Sequence, residues 1–237
     1  MLKQDLIAKN PLRILSKDAE GKLVSQRMGL VMSRAGLGKT AILVQLALDS
    51  ILSGKKIIHV SIDQSLDKTR VWYDDIFKDI VGAEHLENAA AVSEEIMRHR
   101  MIMTFNVSSF NRARLEERLD DLVQQDIFRP ECLIVDGFDF AKASREELAD
   151  LRELSKVMDM NIWFSAVSHR EDDRVSANGI PAPCHELDDL FDTVMVIQPP
   201  AKGHQCNTLQ IVKDVTGAVK AGTSLDIDPS SLVVQGK

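Results

Sequence analysis

Apolar residues along the chain fall into short continuous runs separated by longer stretches of helical spacing. Gly29-Leu30-Val31-Met32 is such a run and predicts a buried strand. Residues 39–53 follow with Ile, Leu, Val and Ala on most faces, while Gln45, Asp49, Ser50 and Ser53 gather on one side. That pattern predicts a helix covered nearly all round, and Gly54 stands where a terminating glycine belongs. Ile57 to Ile62 predicts the next strand, and residues 66–81 and 85–100 predict helices that end near the apolar run Met101 to Phe105. A helix over 112–126 carries Leu115, Leu119 and Leu122 on one face; Cys132-Leu133-Ile134-Val135 is a strand ending in Asp136. Ser144 and Glu147 have capping-box spacing, and the helix they open presents Leu148, Leu151, Leu154 and Met158. Asn161 to Val167 is a further strand, and 170–186 an irregular loop with Gly179, Pro181 and Pro183. Thr193 to Ile197 and Leu209 to Val212 predict two strands paired through the loop at 199–207.

Apolar strands without strict alternation, separated by helices, predict an α/β fold: a mostly parallel central sheet with helices on both faces. The last strands lack intervening helices, so an antiparallel edge is expected. Residues 1–22 are short, polar and broken by Pro11. They are expected to form an N-terminal arm, docked or frayed, before a single domain over 23–237.

Composition narrows this little. Of 237 residues 44% are hydrophobic, enough for an unstapled core. The formal net charge of −7 argues against a dedicated nucleic-acid binder. Cys132, Cys184 and Cys206 are odd in number and form no C-x-x-C pair, which predicts a reduced, cytoplasmic setting. Met1 to Asn10 lacks the apolar core of a signal peptide. No apolar stretch approaches the roughly 18 residues of a membrane span.

The chemistry concentrates at Ser33-Arg34-Ala35-Gly36-Leu37-Gly38-Lys39-Thr40. It matches the phosphate-loop pattern G-x-x-x-x-G-K-[ST] everywhere but the first position, where serine replaces glycine. Successive N–H groups of such a loop cradle phosphate oxygens, and the helix from Lys39 through Ala41 adds its positive end. Lys39 would bridge the outer phosphates of ATP, and the Thr40 hydroxyl would bind Mg²⁺. Asp136, closing an apolar strand, is the second expected magnesium residue; otherwise it merely opens a turn with Gly137. Since Gly137 is not acidic, the expected water-activating base is Asp63, at the end of the strand before it, unless it serves only to cap the next helix.

The stretch Gly29 to Asp63 (GLVMSRAGLGKTAILVQLALDSILSGKKIIHVSID) resembles RecA-superfamily ATPases, above all KaiC-like and DnaB-like domains. The likeness covers 20–217 and is motif-specific at 29–63 and 131–137. It implies a RecA-like P-loop fold, with the acidic catalytic position at Asp63, where KaiC-like sites usually carry Glu, and the magnesium Asp at Asp136. It also implies a γ-phosphate sensor after the strand ending at Val167, for which His169 is the candidate; otherwise His169 is a surface histidine. Lys213, in Leu209-Gln210-Ile211-Val212-Lys213-Asp214, would serve as a finger into a neighbouring subunit's site, or else be a solvated edge lysine. A finger in trans requires a homo-oligomer, such as a hexameric ring. The expected function is ATP binding with Mg²⁺-dependent hydrolysis that drives a conformational or assembly change. The alternatives are a nucleotide-sensing regulatory module with little turnover, a DNA-dependent motor, and a phosphotransferase. Glu171-Asp172-Asp173-Arg174 is more acidic than basic, against the motor. Cys184-His185 and His204-x-Cys206 match no structural-zinc spacing.

Overall fold

In a computed structural model, residues 2–169, 171–200, 203 and 205–236 are described. Among the described residues are six α-helices: α1 (Lys3–Lys9), α2 (Lys39–Leu52), α3 (Leu66–Glu84), α4 (Ala89–His99), α5 (Arg112–Gln124) and α6 (Arg145–Val157). The strands are β1 (Met28–Ser33), β2 (Ile57–Ile62), β3 (Arg100–Phe105), β4 (Cys132–Asp136) and β5 (Asn161–Val167), then β6 (Thr193–Gln198), β7 (Asn207–Asp214), β8 (Ser224–Ile227) and β9 (Val234–Gln235). They form one sheet in the order β3-β2-β4-β5-β1-β6-β7-β8-β9. The strands from β3 through β6 pair in parallel, and β7, β8 and β9 add an antiparallel edge. The result is an α/β fold compatible with Rossmann-like and RecA-like arrangements.

Alternation along the strands splits the core in two. Val31, Ile57, Ile134 and Trp163 face α1–α4, whereas Leu30, Met32, Ile58, Val60 and Phe164 face α5 and α6. Both faces are covered, so β1, β2 and β4 are buried at every position. Gly29 is needed on β1 because a Cβ there would lie 2.2 Å from the Trp163 ring. On α6, the Ser144–Glu147 capping box forms in both directions, at 3.2 and 2.8 Å.

The N-terminal arm is packed rather than frayed. Leu6, Leu12 and Leu15 are buried in the α1–α4 layer. Arg27, 4% exposed, donates to the Leu15 carbonyl at 2.5 Å and to Thr216 Oγ1 at 3.3 Å, which fastens the arm to the β7 turn. The polar side of α2 is likewise covered. Buried Gln45 donates to the Leu232 carbonyl and accepts from the Val234 N–H, holding a C-terminal strap, residues 228–236, against the helix. Among the described residues, no helix is long and apolar enough to cross a membrane.

Candidate functional site

Ser33, the last residue of β1, is extended and paired with Val167. A left-handed backbone, the usual reason for glycine, is therefore not required at this position. The loop instead takes its left-handed turns at Gly36 (φ 81°) and Gly38 (φ 96°). Arg34, Ala35 and Gly36 are exposed, while Leu37 packs on the core. Gly38 is the N-cap of α2 and supplies no side-chain cap. The first intrahelical bond runs from Ile42 N–H to the Gly38 carbonyl. The amides of Gly38, Lys39, Thr40 and Ala41 therefore have no acceptor within the helix. Ala41 turns its methyl into the core, 0% exposed, so only its backbone can serve this end.

Lys39 folds back over the loop. Its Nζ lies 3.3 Å from Ser33 Oγ and 3.4 and 3.5 Å from the Arg34 and Ser33 carbonyls, three long contacts with neutral groups. Burial lowers its pKa and Asp136 opposes that shift. This is a half-buried ammonium with no close anion of its own among these contacts. Thr40 Oγ1 donates to Asp136 Oδ2 at 2.7 Å, joining positions far apart in the chain. Ser165 Oγ donates to Asp136 Oδ1 at 2.5 Å and accepts from Gly137 N–H at 3.2 Å. A hydroxyl and a carboxylate side by side at a helix N-terminus form an oxygen donor set suited to a hard divalent cation. The adjoining free amides and ammonium are suited to an anion.

Asp63 sits after β2, at the same sheet edge, with a left-handed backbone (φ 56°). Its carboxylate accepts from the Val107 N–H at 3.1 Å, and its own N–H donates to the Phe105 carbonyl. The next residue, Gln64, is the one that reaches Asp136 Oδ2, through its amide at 3.4 Å. Sequence reasoning passed over Gln64 and Ser165. Ser165 had a signal, a lone hydroxyl inside the apolar strand Asn161–Val167; Gln64 had only its adjacency to Asp63.

His169 is exposed, two residues past β5. Nearer the loop is Ser168, whose N–H donates to the Ser33 carbonyl at 3.0 Å. Lys213 lies elsewhere. It pairs with Val194, which pairs with Leu30, three residues short of Ser33 or about 10 Å of strand. Its Nζ is bound to Asp188, at 2.6 Å from the carbonyl and 2.9 Å from Oδ1. Lys39, Thr40, Asp136 and Gln64 thus come together, with Asp63 and His169 at the same edge and Lys213 apart.

The three cysteines are free thiols, Cys132 and Cys184 buried. Among the described residues, no group of three or more His, Cys, Asp and Glu side chains is placed to hold a metal; His204 lies outside them. Compared by sequence, the chain matches no protein-family model and no curated protein.

Proposed function

We propose that the chain is a RecA-like P-loop protein that binds ATP with Mg²⁺ and hydrolyses it to ADP and phosphate. The observation that carries this reading is the Thr40–Asp136 contact at the mouth of the glycine loop, beside the Lys39 ammonium. The loop amides and Lys39 would hold the phosphates, and Thr40 and Asp136 the magnesium, which would neutralise charge on the transferring phosphoryl group. Ser165 fixes the rotamer of Asp136. In hydrolysis the water oxygen bonds to the γ-phosphorus, the bond to the bridging oxygen breaks with its electron pair leaving on ADP, and the water's proton passes to the departing phosphate. Gln64 is placed to orient that water, with Asp63 its acidic neighbour. Ser168 and His169, just past β5, would be the residues beside the γ-phosphate.

A second reading, a nucleotide-dependent switch with little turnover, has its own support. The Asp63 carboxylate is occupied by Val107, and Lys213 is held by Asp188 within the same chain. A homo-oligomer in which Lys213 serves a neighbour's site would first have to open that pair. Nucleic acid is disfavoured by the loops after β4 and β5. Lys142, Arg145 and Arg174 there pair with Asp139, Asp189 and Asp172, at 3.0, 2.6 and 2.6 Å.

The test is phosphate release from Mg²⁺-ATP, compared with Lys39→Ala, Gln64→Ala and Asp63→Asn. Hydrolysis predicts turnover that Lys39→Ala abolishes and Gln64→Ala lowers by roughly 10²-fold, the scale of a lost positioning contact, with a smaller effect of Asp63→Asn. ATP binding by calorimetry without turnover selects the switch. Absence of both defeats the nucleotide reading.

A further inference from the structure

The two edges of the sheet are finished differently. At one, β9 is two residues long, and its Val234 N–H is taken by Gln45 of α2. At the other, β3 runs for six residues, about 20 Å of strand. Its parallel ladder with β2 is continued by the bond from the Asp63 N–H to the Phe105 carbonyl. Backbone groups of successive residues turn to opposite sides of a strand. Met101, Met103 and Phe105 therefore serve β2, and Arg100, Ile102 and Thr104 turn outward. Arg118 Nη1, at 3.5 Å from the Thr104 carbonyl, reaches β3 from that outer side. Among the described residues, the N–H groups of Ile102 and Thr104 and the Ile102 carbonyl have no partner.

Positive charge flanks this open row on both faces of the sheet. On the α3 face, the Arg100 guanidinium lies over the Tyr73 ring at 4.4 Å, and its buried Nη1 has no hydrogen-bond partner among the described residues. Burial lowers the Arg100 pKa; Tyr73 and Asp74 oppose the shift and Arg70 adds to it. On the α5 face, the Arg118 guanidinium lies over the Phe105 ring at 4.3 Å. Nearby Arg98 and Arg112 have carboxylates of their own, Glu94 and Glu116. Arg70, Arg100 and Arg118 form no ion pair among the described residues. A second copy of β3 is a poor match for this edge, because pairing would bring the same arginines of both chains onto one seam. A strand that carries carboxylates satisfies both the open backbone row and the unpaired guanidinium groups.

We propose that the β3 edge binds an extended acidic segment of a partner protein, added to the sheet as a further strand. Its backbone pairs with Ile102 and Thr104. Side chains of an added strand alternate between faces, so carboxylates on one face meet Arg100 and Arg70, and those on the other meet Arg118. The long Arg118–Thr104 contact gives way to an N–H of the partner and frees that guanidinium for a carboxylate. This goes beyond the nucleotide reading and does not depend on it.

The experiment is an amide NMR titration of the nucleotide-free protein with a capped Glu-Val-Glu-Glu-Val-Glu peptide, and in parallel with Lys-Val-Lys-Lys-Val-Lys. On a chain of net charge −7 non-specific attraction favours the lysine peptide, so a preference for glutamate reads the edge itself. The expected result is saturable shifts over residues 100–105 and slowed exchange of the Ile102 and Thr104 amides, with the lysine peptide weaker by roughly tenfold or more. Arg100→Gln and Arg118→Gln should each weaken the glutamate peptide roughly threefold, the scale of an exposed ion pair. Ile102→Pro removes an outward N–H and leaves the β2 ladder its bonds, so it should abolish binding. Arg118→Gln, an exposed change on α5, keeps the test sound if the proline variant does not fold. Unsaturable shifts, equal affinity for the two peptides, unchanged exchange at Ile102 and Thr104 on saturation, or a folded Ile102→Pro variant that binds normally would each overturn the proposal. Shifts at 100–105 that grow with protein concentration alone would give the edge to a second copy and overturn it too.

Discussion

Gly137 follows Asp136 directly, and its replacement by alanine separates two costs that usually arrive together. Its φ is 93°, and a Cβ there would lie 2.6 Å from the backbone carbonyl oxygen of Ile62. Gly54, just past α2, has a similar φ of 87° and, among the described residues, nothing within 4 Å of a Cβ. Both alanine variants bear the left-handed penalty, about 1–2 kcal/mol. Gly137→Ala also forces Cβ into a backbone atom that cannot rotate away, an overpacking cost of about 1–3 kcal/mol. The expected losses are therefore about 1–2 kcal/mol for Gly54→Ala and about 2–5 kcal/mol for Gly137→Ala. Urea unfolding followed by the fluorescence of Trp72 and Trp163 reads the difference. With a slope of about 1–3 kcal/mol per molar, the Gly137→Ala midpoint falls below that of Gly54→Ala by on the order of 1 M. Coincident midpoints would show that the Ile62 contact contributes nothing and that glycine stands at 137 for its backbone angle alone.

Two further predictions concern buried charge. Burial pushes the His59 imidazole down from 6.5 to about 4, with Asp136 opposing and Arg100 assisting; its Nδ1 meets Tyr73 at 3.0 Å and its Nε2 has no hydrogen-bond partner among the described residues. Since the folded pKa lies below the unfolded one, the unfolded chain binds more protons between the two. Stability is full above about pH 6.5 and declines as pH falls toward 4, losing roughly 2 kcal/mol between about pH 7 and pH 5. Urea midpoints across that range should fall less steeply for His59→Gln; an unchanged slope would remove His59 from the account. Arg152 donates to Asp192 at 2.7 Å and to the Leu190 carbonyl, and Asp192 in turn accepts the Met28 N–H at the start of β1. Arg152→Met should cost roughly 2 kcal/mol, below a fully buried pair because both side chains keep some exposure. Adding Asp192→Asn should recover part of it, and a single variant that melts with the parent would contradict the assignment.

Strands and helices were legible wherever period and length agreed. Ile57–Ile62 and Asn161–Val167 have the bounds the apolar runs predict, and β6 and β7 pair antiparallel as expected. The arm and the strap were not legible, for one physical reason. Gln45 and Asp49 mark a polar side of α2 that pattern assigns to solvent, yet they satisfy the Leu232 carbonyl, the Val234 N–H and the Asn10 amide. A side chain that binds backbone leaves no periodic trace in the segment it binds. β9 is two residues long and falls below any periodicity test. At the site, residue types gave Lys39, Thr40 and Asp136 their common edge. The orientation of Asp63 toward Val107 depends on a left-handed turn that an aspartate tolerates but does not announce.

The position of β1 in the sheet bears on how the chain is made. Residues 28–33 find their partners only at residues 162–167 and 193–196. At about 5–20 residues per second of synthesis, the first partner follows on the order of ten seconds later. Through that interval an apolar segment with two open edges waits beside the ribosome, a template for pairing with other nascent chains. Such non-local closure makes folding slow, so the yield of native protein should depend on holding factors in the cell. Chains cut short before β6 would release β1 with one edge still bare, and would aggregate rather than fold.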